Sequence, residues 1–205
     1  MFSNLPQETR DELQELARSY GQPVAHTAEL VPGALADPLN STDRYGEVCM
    51  VVRRPSGKLL TMTKTFYPRG VYRLPTGGIN HGERILDALL RETYEETGLQ
   101  VEVRRFLAAI AYREAQADMP RFYTFAFLLD EMGGTLGATD LHERIEDYRE
   151  IEPADLLTMA RQLDSLGAVY STELRGNLDA WGRFRAVVHR LVGEALLGKT
   201  PAYWQ

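Results

Sequence analysis

The chain has 205 residues, of which 44% are hydrophobic and 25% charged, and its net charge is −6 at pH 7. This length suits one substantial α/β domain with additions, and the composition is ordinary for a globular protein. The acidic balance argues against broad binding to nucleic acid, and the single cysteine excludes an intramolecular disulfide framework.

The start of the chain shows no sign of export. The first twenty residues carry four carboxylates where a secretory signal would need an apolar run. No apolar stretch is long enough to cross a bilayer, so we expect a cytoplasmic protein with no membrane segment. Cys49 lies in an apolar run, Val48 to Val52, which favours a buried strand thiol over a nucleophile.

A helix and a strand are predicted first. Leucine, alanine and tyrosine residues recur at helical spacing over 5–20, and Gly21 suits a helix stop. Alternation over 24–30 is typical of a half-buried strand. Residues 31–45 are rich in Pro, Gly, Asn, Ser and Asp, so we predict a loop that separates an N-terminal extension from the main domain.

The central region is dense in predicted strands. Segments 47–54 and 58–65 have the pattern of a hairpin, and 71–74 is a short strand that leads into a glycine-rich loop. A helix is predicted over roughly 84–97 and ends at Gly98, where a left-handed cap prefers glycine.

Two further strands and two helices follow. The strands lie near 100–112 and 121–130, and an acidic segment comes after them at 139–152. Pro153 opens one helix, and a last amphipathic helix covers about 178–197. We divide the chain into an N-terminal helix and strand extension at 1–40, a main domain at 41–167 and a C-terminal helical extension at 168–205.

Three glutamates on the central helix carry the first chemical signal. Glu92, Glu95 and Glu96 stand at i, i+3 and i+4, so their carboxylates project from one face. Like charges placed in this way cost a helix roughly 0.2–0.5 kcal/mol per pair. A divalent cation among them would remove the repulsion, because hard cations prefer carboxylate oxygens.

The residues around these glutamates suit phosphate. Gly77, Gly78 and Gly82 punctuate a loop that can bring backbone groups close to a ligand. The loop leads to the helix N-terminus, whose free amides and dipole favour an anion. Arg91 neighbours Glu92 and could hold that carboxylate through a fork-shaped pair. The spacing alone leaves two hypotheses open, a metal-bridged phosphate site and a solvated acidic face.

The stretch from Gly77 to Leu99 resembles the Nudix box, written G-x5-E-x7-R-E-U-x-E-E-x-G-U, where U is a bulky aliphatic residue. The matching positions are Gly77, Glu83, Arg91, Glu92, Glu95, Glu96, Gly98 and Leu99. Thr93 is the one departure, since it stands where the family usually has an aliphatic residue. Because that position packs the helix onto the sheet, the departure concerns packing more than chemistry.

This resemblance implies a fold, a cofactor and roles for the box residues. The fold is α/β (α+β), an α/β/α sandwich around a mixed β-sheet, here with helical extensions at both ends. The resemblance makes Glu92, Glu95 and Glu96 the ligands of Mg²⁺ or Mn²⁺. It gives Glu83 a supporting role and makes Arg91 the residue that orients Glu92.

Residues outside the helix complete the expected site. The general base varies within the family; Glu143 and Glu146 are the candidates here, and we prefer Glu143, with a solvated acidic loop as the alternative. Arg73, Gly77 and Gly78 would contact the substrate, although Arg73 suits a pair with a nearby carboxylate equally well.

The implied activity is hydrolysis of a diphosphate bond in a nucleoside diphosphate that is linked to another group. The substrate would be a small molecule, with no specific nucleic acid as a partner. One alternative is a Nudix-like domain that binds a nucleotide without cleaving it, and another is an isomerase of isopentenyl diphosphate that would use Cys49. For the terminal helices, a cover over the substrate cleft and a homodimer interface both remain open.

Overall fold

A computed structural model describes residues 2–30, 37–39 and 42–198. Within them, four α-helices flank one seven-stranded sheet, and a two-stranded hairpin precedes the last helix. The helices are α1 (Gln7–Tyr20), α2 (Ile85–Thr97), α3 (Leu156–Asp164) and α4 (Leu178–Leu196). The strands are β1 (Val24–Leu30), β2 (Arg44–Arg53), β3 (Leu59–Lys64), β4 (Thr76–Asn80), β5 (Leu99–Glu114), β6 (Phe122–Gly134), β7 (Ile145–Ile151), β8 (Tyr170–Ser171) and β9 (Gly176–Asn177).

The large sheet is mixed. Its strand order is β1-β5-β6-β2-β3-β7, and β4 pairs with β2 beside this path. β1 runs parallel to β5, and β2 runs parallel to β6. The other pairs are antiparallel. β4 therefore lies against the middle of the sheet and carries its glycines into the region that α2 covers.

Two hydrophobic cores, one on each face of the sheet, make the molecule a three-layer sandwich. On one face, apolar residues of α1 and α2 such as Leu16, Ile85 and Leu89 pack onto the sheet. On the other face, α3 and α4 contribute Leu163, Trp181 and other residues. This arrangement confirms the α/β/α sandwich with a mixed sheet that the sequence predicts.

The end of α2 confirms the glycine signal. Gly98 adopts the left-handed conformation, with φ of 67°, and its amide donates to the carbonyl of Tyr94. A side chain at this position would be strained, because L residues other than glycine rarely adopt positive φ. Gly98 therefore marks the point at which α2 ends and β5 begins.

Two local predictions are wrong. Gly77 and Gly78 were expected in a loop, but they lie in β4 and pair with Val48 and Glu47 of β2. Segment 71–74 was expected as a strand, and it forms only an isolated bridge between Met62 and Arg73. Glycine weakens a strand but does not forbid one, and it is favoured where another group approaches the backbone closely.

The terminal helices are built into the sandwich. α1 packs into the same core as α2, and α4 packs into the same core as α3. The three-part division at residues 40 and 167 stays a prediction. Most of the predicted loop at 31–45 lies outside the described residues, as do 199–205. Among the helices of the described ranges, none has the length and apolar character needed to span a bilayer.

Candidate active site

Three carboxylates from two parts of the chain converge beside α2. Glu92 and Glu95 come from the helix, and Glu143 comes from the short 3₁₀ turn that follows β6. One oxygen from each lies within 4.8 Å of the others. Glu146, the other candidate base, is exposed on β7. The structure thus brings the preferred base, Glu143, to two of the three predicted metal ligands.

Backbone hydrogen bonds hold the turn of Glu143 against α2. The amides of Thr139 and Asp140 donate to the carbonyl of Glu95, at 2.9 and 3.4 Å. The Thr139 hydroxyl donates to the carbonyl of Tyr94 at 3.1 Å. These carbonyls belong to the last turn of α2, and that of Tyr94 also accepts the amide of Gly98. The C-terminus of the helix therefore positions the third carboxylate.

Arg91 orders the carboxylates around it. Its Nε and Nη2 donate to the two oxygens of Glu83 at 2.7 and 2.9 Å, and Nη1 donates to Glu92 at 2.8 Å and to Glu95 at 2.9 Å. Burial alone would raise the pKa of Glu83, but Arg91 and the amide of Asn80 outweigh it and lower that pKa below its usual value. Such charge-assisted pairs fix geometry as well as charge.

Gly77 leaves the space that Glu92 occupies. A Cβ on Gly77 would lie 2.1 Å from the carboxyl carbon of Glu92. Glu92 is buried, and burial raises its pKa, with Arg91 acting in the opposite direction. The contact places the carboxylate against Gly77 of β4.

Lys64 bridges Glu96 and Glu143. Its Nζ lies 2.9 Å from Oε1 of Glu96 and 2.6 Å from Oε2 of Glu143. Burial would raise the pKa of Glu143, but Lys64 outweighs it and the pKa lies below its usual value. Glu96 is fully buried, and burial raises its pKa to about 7 against the opposing effect of Lys64. The ligand role of Glu96 stays a prediction.

A cavity of about 170 Å³ adjoins the carboxylates along β4. We call it the basic cavity. Its polar and glycine lining consists of Asp37, Arg44, Glu47, Lys64, Arg73, Thr76, Gly77, Gly78, Glu173 and Arg185, and its apolar lining includes Phe66, Tyr67 and Trp181. All three predicted substrate-contacting residues, Arg73, Gly77 and Gly78, line it. A Cβ on Gly78 would lie 2.4 Å from the guanidinium of Arg44, so this glycine admits an arginine.

Two residues of α4 form the wall of this cavity or support it. Nη1 of Arg185 donates to both oxygens of Glu47, at 2.8 and 2.7 Å. His189 accepts the amide of Leu74 at Nε2, at 2.9 Å, and its Nδ1 bonds the carbonyl of Arg185 at 2.7 Å. Burial lowers the pKa of His189 to about 3, and the arginines nearby act in the same direction.

A model of the NUDIX domain matches residues 44–169, which is more than half of the chain. The chain belongs to the Nudix family.

Curated members show the same likeness over part of their length. Nudix hydrolase 6 of Arabidopsis thaliana is 32% identical over 108 residues, which are 51% of this chain and 36% of that protein. The ADP-ribose pyrophosphatase of Methanocaldococcus jannaschii is 33% identical over 108 residues, 52% of this chain and 59% of that protein. This chain thus spans about a third and three fifths of these relatives. An Ap4A hydrolase structure from C. elegans aligns at 18% identity over 75% of this chain and 98% of its own, with a TM-score of 0.47.

The unusual residue of the Nudix box has a place in the packing. Thr93 is fully buried, and its hydroxyl donates to the carbonyl of Leu89 at 2.6 Å. The bond satisfies the hydroxyl within the helix, one turn back. Thr93 therefore fits the aliphatic position without leaving a polar group unpaired.

The start of the Nudix helix differs from the expectation. The amides of Ile85 and Leu86 donate to the two oxygens of Glu12, at 3.0 and 3.1 Å. Glu12 comes from α1 and is buried. The anion at this helix N-terminus is therefore a side chain of the protein itself, and the prediction that these amides serve a phosphate is wrong.

Cys49 and His81 lie away from the carboxylate cluster and the basic cavity. Cys49 is fully buried in β2, and burial raises its pKa far above the usual range, which confirms the prediction of a strand thiol. His81 is exposed, with Nε2 at 3.2 Å from the carbonyl of Thr42. Neither residue lines the basic cavity.

Sequence reasoning missed Glu12, Lys64, Arg185 and His189. Lys64 ends a strand that reads as ordinary hairpin, and Arg185 and His189 lie on an amphipathic helix whose apolar stripe dominates the pattern. The four-residue spacing of Arg185 and His189, on one face with the apolar positions Trp181 and Val192, is the one signal that could have found them.

Proposed function

We propose that the protein is a divalent-metal-dependent pyrophosphohydrolase that cleaves a diphosphate bond in a nucleoside diphosphate linked to another group. The observation that carries the proposal is the convergence of Glu92, Glu95 and Glu143 in a chain of the Nudix family. Relatives named as an ADP-ribose pyrophosphatase and an RNA pyrophosphohydrolase support cleavage of this bond type.

The donor set fits Mg²⁺ or Mn²⁺. The ligands of the ion would be carboxylate oxygens of Glu92, Glu95 and Glu143, and Mg²⁺ and Mn²⁺ prefer hard oxygen donors of this kind. Both oxygens of Glu96 are buried without a hydrogen-bond partner, since Lys64 is close in distance but not aligned for a hydrogen bond. A buried carboxylate left in this state suits a site that takes up further positive charge.

The cation supplies charge neutralisation on the phosphate oxygens and a lower pKa for bound water. The protein's own groups position the reactants. Arg91 locks Glu92 and Glu95 to the helix, so these carboxylates need little reorganisation when substrate binds.

Glu143 acts as the general base. Glu143 is ionised at neutral pH, so a carboxylate oxygen that does not bind the cation can accept the proton of the attacking water, while Lys64 lowers the pKa and weakens Glu143 as a base. Lys64 holds Glu143 in place through its 2.6 Å ion pair. The turn that carries Glu143 is tied to α2, which keeps the base beside the other two carboxylates.

A product screen tests the proposal. Common nucleoside diphosphate derivatives are incubated with the protein and Mg²⁺ or Mn²⁺, and released phosphate or nucleotide is measured. Glu92→Gln and Glu143→Gln are each expected to lower turnover by about 10²-fold or more. Asp87→Asn is the matched control, because Asp87 is an exposed carboxylate on the same helix and should change turnover less than twofold.

Three results separate the alternatives. Turnover that depends on added metal and falls in both variants supports the hydrolase. Turnover that survives Glu92→Gln and Glu143→Gln unchanged rules out this mechanism. Tight binding of one nucleotide with no turnover of any compound would favour the binding domain instead. Cytoplasmic location, the domain division and a homodimer remain predictions.

A further inference from the structure

The basic cavity and the carboxylate cluster share one strand. Thr76, Gly77 and Gly78 of β4 line the cavity, and the side chain of Glu92 packs against Gly77. If the diphosphate of a substrate lies at the carboxylates, the group that follows the diphosphate in the substrate can therefore reach the cavity. The cavity, at about 170 Å³, is smaller than the pockets of roughly 300–1,000 Å³ that enclose whole small ligands, so it suits one end of a substrate.

Arg73 brings a buried positive charge into the cavity wall, and the carboxylates that interact with it, Glu96 and Glu47, lie beyond ion-pair distance. It is 2% exposed, and its hydrogen bonds go to the Tyr67 hydroxyl, the Leu74 carbonyl and the Thr76 hydroxyl, all of which are neutral. Among the described residues, no carboxylate lies within ion-pair distance of Arg73. Burial disfavours the charge of Arg73, but Tyr67, Glu96 and Glu47 outweigh burial and raise its pKa.

Arg185 presents an unused donor at the same wall. Arg185 is 5% exposed, and its bonds to Glu47 and to Thr76 all leave from Nη1. Nε is buried without a partner. Glu47 is also buried, and it accepts the Thr124 hydroxyl at 3.0 Å, so it fixes Arg185 from below the cavity. A guanidinium held on one side only has its remaining donors available for a planar or tetrahedral oxyanion.

The carboxylates in the lining are already matched by cations. Glu47 pairs with Arg185, Glu173 lies 2.9 Å from Arg144, and Asp37 lies 3.5 Å from Arg175. The lining holds four basic side chains and three carboxylates, although one of the four, Lys64, is shared by Glu96 and Glu143 beside the cavity. Among the described residues of the lining, Nε of Arg185 is the buried donor without an acceptor, and an oxyanion would supply one.

We propose that the basic cavity binds a phosphate group of the substrate beyond the bond that is cleaved, and that Arg185 is a specificity-determining residue that contacts it. This inference rests on the proposed function and narrows the substrate class to diphosphates that carry one further phosphate. Arg185 lies on α4, after the residues 44–169 that match the family, so the determinant belongs to this chain's C-terminal helix.

Binding of inorganic phosphate without metal tests the site apart from catalysis. In EDTA the carboxylate cluster repels phosphate, so titration calorimetry or phosphorus NMR reports on the cavity. We expect millimolar binding by the wild-type protein and at least tenfold weaker binding by Glu47→Gln/Arg185→Gln. The double change removes both charges of the buried pair, so neither residue is left as an unpaired charge. Arg185→Lys keeps the positive charge but loses the forked guanidinium, and this variant should bind phosphate with intermediate strength.

The control is Arg183→Gln, an exposed arginine on the same helix, which should bind phosphate like the wild type. Thermal melts confirm that each variant is folded. No binding by the wild type, or equal binding by the folded double variant, overturns the proposal.

Paired substrates give the second readout. For a pair that differs by one phosphate, such as NADPH with NADH, the double variant should raise KM at least tenfold for the more phosphorylated member. KM for its partner should move less than twofold. Equal changes in both members contradict the role of Arg185 while leaving the hydrolase intact. If the wild type cleaves none of these compounds but cleaves others of the screen, the phosphate titration alone decides this inference. If it cleaves no compound of the screen at all, the proposed function itself fails.

Discussion

Glu92 lies so close to Gly77 that a Cβ on the glycine would be 2.1 Å from the carboxyl carbon. The box glycine is therefore required by the position of the box glutamate, and not by a turn. We predict that Gly77→Ala displaces Glu92, lowers turnover by about 10²-fold or more, and destabilises the fold by roughly 1–3 kcal/mol. Turnover assays and denaturant unfolding measure the two effects.

Gly167→Ala is the matched control for this change. A Cβ there meets no atom within 4 Å, so turnover and stability should stay near wild type. Full activity of Gly77→Ala would mean that Glu92 does not need its present position.

Glu12 should contribute to stability through the Nudix helix. Its carboxylate caps the amides of Ile85 and Leu86 from α1, so we predict that Glu12→Ala lowers the free energy of unfolding by about 0.5–2 kcal/mol. Glu8→Ala, an exposed carboxylate on α1, should cost only a few tenths of a kcal/mol. Equal losses in the two variants would show that the cap contributes nothing of its own.

His189 should make stability depend on pH. Burial lowers its pKa in the folded protein to about 3, against 6.5 as the usual value, so protonation favours the unfolded chain. The contribution of His189 is complete above pH 6.5 and is lost as the pH falls from 6.5 towards 3. In that window, each pH unit should cost about tenfold in the folding equilibrium constant.

His189→Gln keeps a donor and an acceptor without a titrating ring. Denaturant unfolding between pH 7 and 5 should show a shallower decline for this variant than for wild type. The exposed His81→Gln serves as the control and should follow the wild-type slope. Parallel curves for all three proteins would contradict the buried, neutral state of His189.

Thr93 should be replaceable by the family's aliphatic type. The Thr93 hydroxyl donates to the carbonyl of Leu89, which also takes part in the backbone hydrogen bonds of the helix. Loss of the hydroxyl therefore leaves no buried acceptor without a hydrogen bond. We predict that Thr93→Val keeps turnover within twofold and stability within about 1 kcal/mol. A loss of 3 kcal/mol or more on unfolding would mean that the hydroxyl has a further role.

The local parts of the site could be predicted from the sequence. The α2 glutamates, the stop at Gly98 and the pair between Arg91 and Glu92 depend on helical spacing and on neighbours a few residues apart. The strand over 24–30 and the helix near 178–197 were also found, because period and turn residues agree there.

Contacts between distant segments could not be predicted. Glu143 reaches the cluster because its turn bonds to the last carbonyls of α2, and Glu12 crosses from α1 to cap the same helix at its start. Arg185 reaches the cavity only because α4 packs on the face of the sheet opposite α2. None of these contacts follows from a periodic sequence pattern, because each depends on how the helices pack on the two faces of the sheet.

A metal titration tests the central claim most directly. Mg²⁺ and Mn²⁺ are added to the metal-free protein in a calorimeter, without nucleotide, and thermal melts follow the same series. The wild-type protein should bind the ion and melt at a higher temperature as its concentration rises. Glu92→Gln should bind at least tenfold more weakly, and Asp87→Asn should match the wild type. Absence of binding by the wild-type protein, or equal binding by Glu92→Gln, would contradict a metal site built from Glu92, Glu95 and Glu143.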